Sequence, residues 1–147
     1  MPLPKKLTDS PEAIEQAFYD ALEHADLDAL MALWSEDEEI VYIPPGGTRL
    51  VGHQAVRQAW RETFANGPVH VRPTKTSVVQ TAVVSLHSVI EQVLVNHQGR
   101  TQLVELIASN VFIKGAHGWR LVLHHASPMP AATRGTTHEA VPGGTLH

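Results

Sequence analysis

Four residues of this 147-residue chain combine reactive chemistry with a spacing that can bring them together: His87, Glu91, Asn110 and His125. His87 and Glu91 stand four apart in "AVVSLHSVIEQVLVN", whose period-two alternation reads as a strand, so both point to the same face. A carboxylate on a buried face is costly unless it is partnered, lies at a rim or takes up a proton. Glu91 is therefore a candidate acid or base. His125 is the matching candidate for general base, since an imidazole titrates near neutral pH. Each has a plain structural reading beside it: His125 as a hydrogen-bonded core residue, His87 as incidental to a cavity mouth.

Strands and helices must position these groups, and the chain divides cleanly between them. Ser10-Pro11-Glu12 is a helix start, with a capping oxygen, a proline at the first helical position and an acid at the positive end of the dipole. Ile14, Ala17, Phe18, Ala21 and Leu22 then form one apolar face. Asp26 caps a second, shorter helix that buries Leu30, Leu33 and Trp34; the acid run "SEDEE" after it reads as a solvated end. "IVYI" is a short strand stopped by Pro44-Pro45-Gly46-Gly47, and Gly52 opens a third helix with Val56, Trp60 and Phe64 inside. From residue 69 the period becomes two. "VHVRPTKTSVVQ" carries a proline and so expects a bend or an edge position, and three long strands follow it with turns near 96–100 and 115–118.

Three helices followed by a meander argue an α+β fold, with the helices packed on one face of a sheet. With those turns, antiparallel pairing sets His125 opposite Ala108 and Ala108 opposite Val89. One face then carries His87, Val89 and Glu91; Leu106, Ala108 and Asn110; Leu123, His125 and Ser127. Small residues at its centre ringed by convergent polar groups describe a ligand pocket. Phe18, Trp34, Tyr42 and Trp60 supply its aromatic wall. His124 falls with Arg120 and Val122 on the opposite face, where Arg120 and Glu105 are expected to form an ion pair. One slipped residue in either hairpin would exchange the faces.

Composition removes several functions. Cysteine is absent, which excludes disulfides, thiolate metal sites and cysteine nucleophiles and suits a reducing cytoplasm. A formal charge of −4 without a basic stripe speaks against nucleic acid, and no apolar run is long enough for a membrane span. The start has no secretory h-region. The ten histidines show no helical zinc spacing. His87 and His125, two strands and roughly 10 Å apart, suit a shared ligand better than one metal ion. No metal and no cofactor are expected. Residues 1–10 read as an N-terminal extension, 11–128 as the domain, and 129–147, rich in Gly, Thr and Pro, as an extended tail.

Three stretches carry a family resemblance: "AIEQAFYDALEHADLDALMALWSEDEEIVYIPP", then Gly52 with "AVRQAW", then "SNVFIKGAHGWRLVLHHAS". Their order resembles the SnoaL-like branch of the nuclear transport factor 2-like superfamily, which includes polyketide cyclases and ketosteroid isomerase. The resemblance implies a cone-shaped fold, a strongly curved sheet around a cavity closed by helices, and a homodimer through the outer sheet face. It also implies that Asn110 and His125 line the cavity. Both parities of the long strands are apolar, which agrees with burial of both faces.

The resemblance leaves the activity open, because fold alone does not fix chemistry. All five aspartates lie at or before Asp37, off the strands where relatives place catalytic aspartates. Tyr42 stands about where ketosteroid isomerase has its base, and Phe18 about where it has an oxyanion-holding tyrosine; phenylalanine donates no hydrogen bond. The C-terminal stretch is also similar to the association domain of calcium/calmodulin-dependent kinases. The expectation is a cytoplasmic homodimer binding a small organic ligand, with a cofactor-independent lyase or isomerase using His125 as the alternative.

Overall fold

The computed structural model describes residues 3–130. The order is α1 (Lys5–Thr8), α2 (Pro11–His24), α3 (Leu27–Ala32), β1 (Val41–Ile43), β2 (Leu50–Val51), α4 (His53–Phe64), β3 (His70–Gln80), β4 (Val84–His97), β5 (Arg100–Gly115) and β6 (Gly118–Pro128). Ser10 caps α2 by accepting from the Ala13 N–H at 3.0 Å, and Ala25 ends it in the left-handed region, φ 50°. Asp26 at once caps α3 through the Ala29 N–H at 3.1 Å. The two helices thus meet at a tight corner, which sets α2 across the sheet.

The six strands form one curved mixed sheet in the order β2-β1-β6-β5-β4-β3. All neighbours are antiparallel except β1 and β6. Ile14, Phe18 and Leu22 of α2 and Trp60 of α4 bury against Val89, Ala108, Phe112 and Leu121 of the inner face. Burial of each such large side chain contributes about 2 kcal/mol. The fold is the expected α+β arrangement. β3 is the edge, and its ladder breaks between Pro73 and Lys75, where the proline has no N–H to give. α1, inside the stretch read as an extension, ends against Gly118, where an added Cβ would stand 2.7 Å from the Thr8 carbonyl oxygen.

The β4–β5 hairpin runs in the expected register: His87 faces Asn110, Val89 faces Ala108 and Glu91 faces Leu106. The β5–β6 hairpin does so only as far as Phe112 opposite Leu121. There one extra residue, Val122, enters β6, and every later pairing moves by one, so that Ala108 faces Ala126 and Asn110 faces His124. The cause is a competing partner. The Leu121 N–H donates to the Leu33 carbonyl at 2.9 Å and its carbonyl accepts from the Ser35 N–H at 2.8 Å. The segment leaving α3 thereby takes over Leu121 and bends β6 at that point.

The inner face of β6 changes as a result. His125, Leu123 and Ser127 leave the inner face, and His124 takes the place given to His125. Within one chain Arg120 and Glu105 do not pair: Arg120 Nη1 donates to the His117 and Trp119 carbonyls, both at 3.0 Å. Glu105 lies further along, where its carbonyl accepts from the Met129 N–H at 3.1 Å. The tail expected from 129 falls, from 131 onward, outside the described residues.

Candidate functional site

Between α2 and the inner face lies a connected polar cluster of Glu15, Tyr19, Glu91, Asn110 and His124, all of them buried. Its hub is Asn110, held on β5 opposite both His87 and His124. The Asn110 Nδ2 donates to Glu15 Oε2 at 2.8 Å and to the Tyr19 hydroxyl at 3.2 Å, while its Oδ1 lies 2.5 Å from His124 Nδ1. The Tyr19 hydroxyl donates its own proton to Glu91 Oε2 at 2.7 Å. Each group uses the partner its chemistry allows. Because Asn110 Oδ1 can only accept, His124 Nδ1 must be the donor. The remaining ring nitrogen, Nε2, stands 4.0 Å from Glu91 Oε2.

The electrostatics follow from burial. Desolvation pushes the Glu91 carboxyl up to about 7, with the Tyr19 hydrogen bond opposing it and the charge of Glu15 adding to it. Burial holds the His124 imidazole down to about 3, and His125 next to it lowers it further. Burial first, and Glu91 second, raise both the Tyr19 and the Tyr42 phenols far above their ordinary range. Near neutral pH, Glu91 is the group that changes protonation, while His124 stays neutral. Among the described residues, no lysine or arginine forms an ion pair with Glu91 or Glu15.

Aromatic rings fix these groups in place. Tyr42 stacks on Trp60 with ring centres 4.5 Å apart and on His124 at 5.8 Å, and Phe18 tilts against His124 at 4.8 Å. β1 explains the grouping, because Tyr42 lies beside His124 in the parallel pairing and so shares its face. Trp34 sits apart, bridged to Leu121, and its buried indole N–H has no partner. His87 is wholly buried, with Nε2 3.0 Å from Ser85 Oγ. Its Nδ1 comes within 3.1 Å of Glu15 Oε1, too poorly aligned to count as a hydrogen bond.

Of the expected pocket residues, Phe18, Tyr42, Trp60, Val89, Ala108 and Asn110 gather around this cluster on the inner face, with His87 and Leu106 at its two ends. Glu15 and Tyr19 were missed. They stand four apart on α2, on the flank of the Ile14–Phe18–Leu22 stripe, and that spacing was the available signal. Surface cavities of about 420 and 430 Å³ lie elsewhere, around Gly118, His117 and Arg120, and touch none of these groups. Among the described residues, no group of three His, Asp or Glu side chains is placed to hold a metal ion, and no helix is long and apolar enough to cross a membrane.

The corrected strand separates two histidines by outcome. His125→Ala removes an exposed side chain and is expected to change stability by no more than about 0.5 kcal/mol. His124→Ala removes a packed ring and strands Asn110 Oδ1, for a loss of about 3 kcal/mol. Denaturant melts of the two variants side by side check the assignment.

A SnoaL-like domain model matches residues 12–132. Among the curated proteins, none matches the chain. A solved structure from Thiobacillus denitrificans, provisionally named a calcium/calmodulin-dependent protein kinase type II association domain, is 33% identical. The match covers 84% of this chain and 98% of that one, with a TM-score of 0.74. A Streptomyces avermitilis protein, provisionally named a dehydratase of the NTF2-like family, is 26% identical over 82% of this chain and 94% of its own, with a TM-score of 0.75. A Parabacteroides distasonis protein provisionally named a ketosteroid isomerase shares the fold at 17% identity, over 87% of this chain and 95% of that one, with a TM-score of 0.68.

Proposed function

The chain belongs to the SnoaL-like domain family, of the nuclear transport factor 2-like fold, and from that premise we propose that it binds a small organic molecule against Glu91 and moves a proton on it. The observation that carries this reading is Glu91 itself: a carboxyl buried without a cation, tied to the Tyr19 hydroxyl and 4.0 Å from an unprotonated imidazole nitrogen. A group poised near neutral pH gives and takes protons with the least loss in either direction. Glu91 is the acid–base residue in this reading, and His124 Nε2 accepts a hydrogen bond from a hydroxyl of the ligand. With Glu15 and Glu91 side by side, the site favours an uncharged ligand over an anionic one. The chemistry is that of a cofactor-independent lyase or isomerase, transferred from His125 to Glu91.

The test is a panel of uncharged β-hydroxy ketones and enolisable ketones in D₂O, followed by NMR for loss of water or uptake of deuterium. Turnover that falls at least 100-fold in Glu91→Gln supports the proposal. An unchanged rate in that variant contradicts it. The 33% identity to a protein named an association domain favours a second reading, binding without turnover. Under it, native mass spectrometry finds a retained small molecule, and Glu91→Gln changes its retention while no substrate reacts.

We also propose that the outer sheet face joins two copies of the chain. Val79, Leu86 and Ile107 leave that face 70%, 43% and 40% exposed, more apolar surface than a strand needs to show to water. Leu86→Lys with Ile107→Lys is expected to convert a dimer to a monomer in sedimentation at micromolar concentration. A wild-type protein that sediments as a monomer overturns this part.

A further inference from the structure

His124 is useful to a ligand only if its proton stays on Nδ1, because only then is Nε2 an acceptor facing Glu91. Nothing in the imidazole enforces that choice. Its first neighbour, Asn110, could equally offer an oxygen or a nitrogen, since an amide turned by half a revolution occupies the same space. What distinguishes the two orientations is the partner at the amide's other end.

That partner is Glu15. Its Oε2 accepts from Asn110 Nδ2 at 2.8 Å, the shorter of the two bonds that the nitrogen makes. A carboxylate can only accept, so it repels the turned amide, which would set oxygen against oxygen. The Tyr19 hydroxyl is a weaker guide, because a hydroxyl both gives and accepts. On its far side Glu15 Oε1 lies 3.1 Å from His87 Nδ1 without the alignment of a hydrogen bond, and its side chain is only 12% exposed. Phe18 and Tyr42 pack against the ring of His124 and restrict its turning.

We propose that Glu15 is a positioning residue that sets the tautomer of His124: by holding Asn110 in one orientation it keeps the imidazole proton on Nδ1 and leaves Nε2 free as the acceptor beside Glu91. Glu15 touches neither His124 nor the ligand and acts through Asn110. The consequence for the ligand rests on the function proposed above, whereas the tautomer itself does not.

The experiment is long-range ¹H–¹⁵N correlation on the full chain labelled with ¹⁵N-histidine, with His124→Gln used to assign the signal. The wild-type protein is expected to show His124 protonated at Nδ1 alone. Glu15→Gln, whose amide can both give and accept, is expected to relax that pattern in part, while Glu15→Leu shifts the tautomer ratio toward Nε2–H by about tenfold, the worth of one buried hydrogen bond. Wild-type His124 protonated at Nε2 overturns the proposal without any variant, so a Glu15→Leu chain that fails to fold leaves it decidable. A folded Glu15→Leu protein with an unchanged Nδ1–H signal overturns it as well. The proposed activity fails separately: a tautomer that moves as expected in a protein that turns over no compound sinks the proton-transfer reading and leaves the role of Glu15 standing.

Discussion

Glu91→Gln is expected to stabilise the protein at pH 8 by about 3 kcal/mol, and to do nothing at pH 4. In the unfolded chain Glu91 ionises near its ordinary 4.5, whereas in the folded protein burial raises it to about 7. Between those values the unfolded state has released a proton that the folded state still holds, so each step upward in pH costs stability. The loss starts near pH 4.5, grows by about 1.4 kcal/mol with each further pH unit, and is complete just above 7. Glutamine keeps the oxygen that accepts from Tyr19 and never carries the charge. The melting temperature should therefore rise on the order of 10 °C at pH 8.

His124 makes this prediction sharper. Its folded value, about 3, lies below its ordinary 6.5, so its contribution is fully present above pH 6.5 and is lost as pH falls toward 3. Between pH 4.5 and 6.5 the slopes of Glu91 and His124 are opposite and cancel. Glu91→Gln removes one of them. The variant should thus lose stability on acidification through a range where the wild type is level. A difference between the two proteins that does not vary with pH would show that Glu91 is not buried as an acid.

Asn110→Ala is expected to cost about 4 kcal/mol. Asn110 satisfies three buried groups at once: Glu15, the Tyr19 hydroxyl and His124 Nδ1. Its removal takes this partner from Glu15 and from His124 Nδ1, at roughly 1–3 kcal/mol apiece before relaxation and with incomplete additivity, and leaves the Tyr19 hydroxyl with Glu91 alone. The cost should appear as a lower urea midpoint with an unchanged slope. A loss under about 1 kcal/mol would mean that water reaches the cluster and replaces the amide.

The reach of the sequence stopped at an identifiable place. Helix starts at Ser10 and Asp26 were legible because capping is local. The β4–β5 register was legible because Gln98-Gly99, both at positive φ, close a two-residue turn that leaves no freedom in the pairing. Ala116 and His117 close an equally short turn, with Gly118 after it at positive φ, and so made the β5–β6 register legible up to Leu121. Beyond it the bulge is imposed by backbone bonds from Leu33 and Ser35, far back along the chain, and no local pattern in "GWRLVLHHASP" announces it. Parity reasoning therefore put the wrong histidine inside. It kept Glu91 and Asn110 because they lie on the hairpin without a bulge. Glu15 and Tyr19 stayed hidden because a carboxylate flanking an apolar stripe is ordinarily solvated, and only the curvature of the sheet over α2 encloses it.

The proton-transfer reading of this site turns on Glu91 being a buried acid–base group poised at neutral pH, and its own titration reads that property without an intermediary. With ¹³C label at the glutamate carboxyl, the Glu91 resonance followed across the range from acid to mildly alkaline pH in the folded protein should move with a midpoint near 7. A midpoint near 4.5, that of an exposed glutamate, would remove the basis for both the proton transfer and the pH-dependent stability.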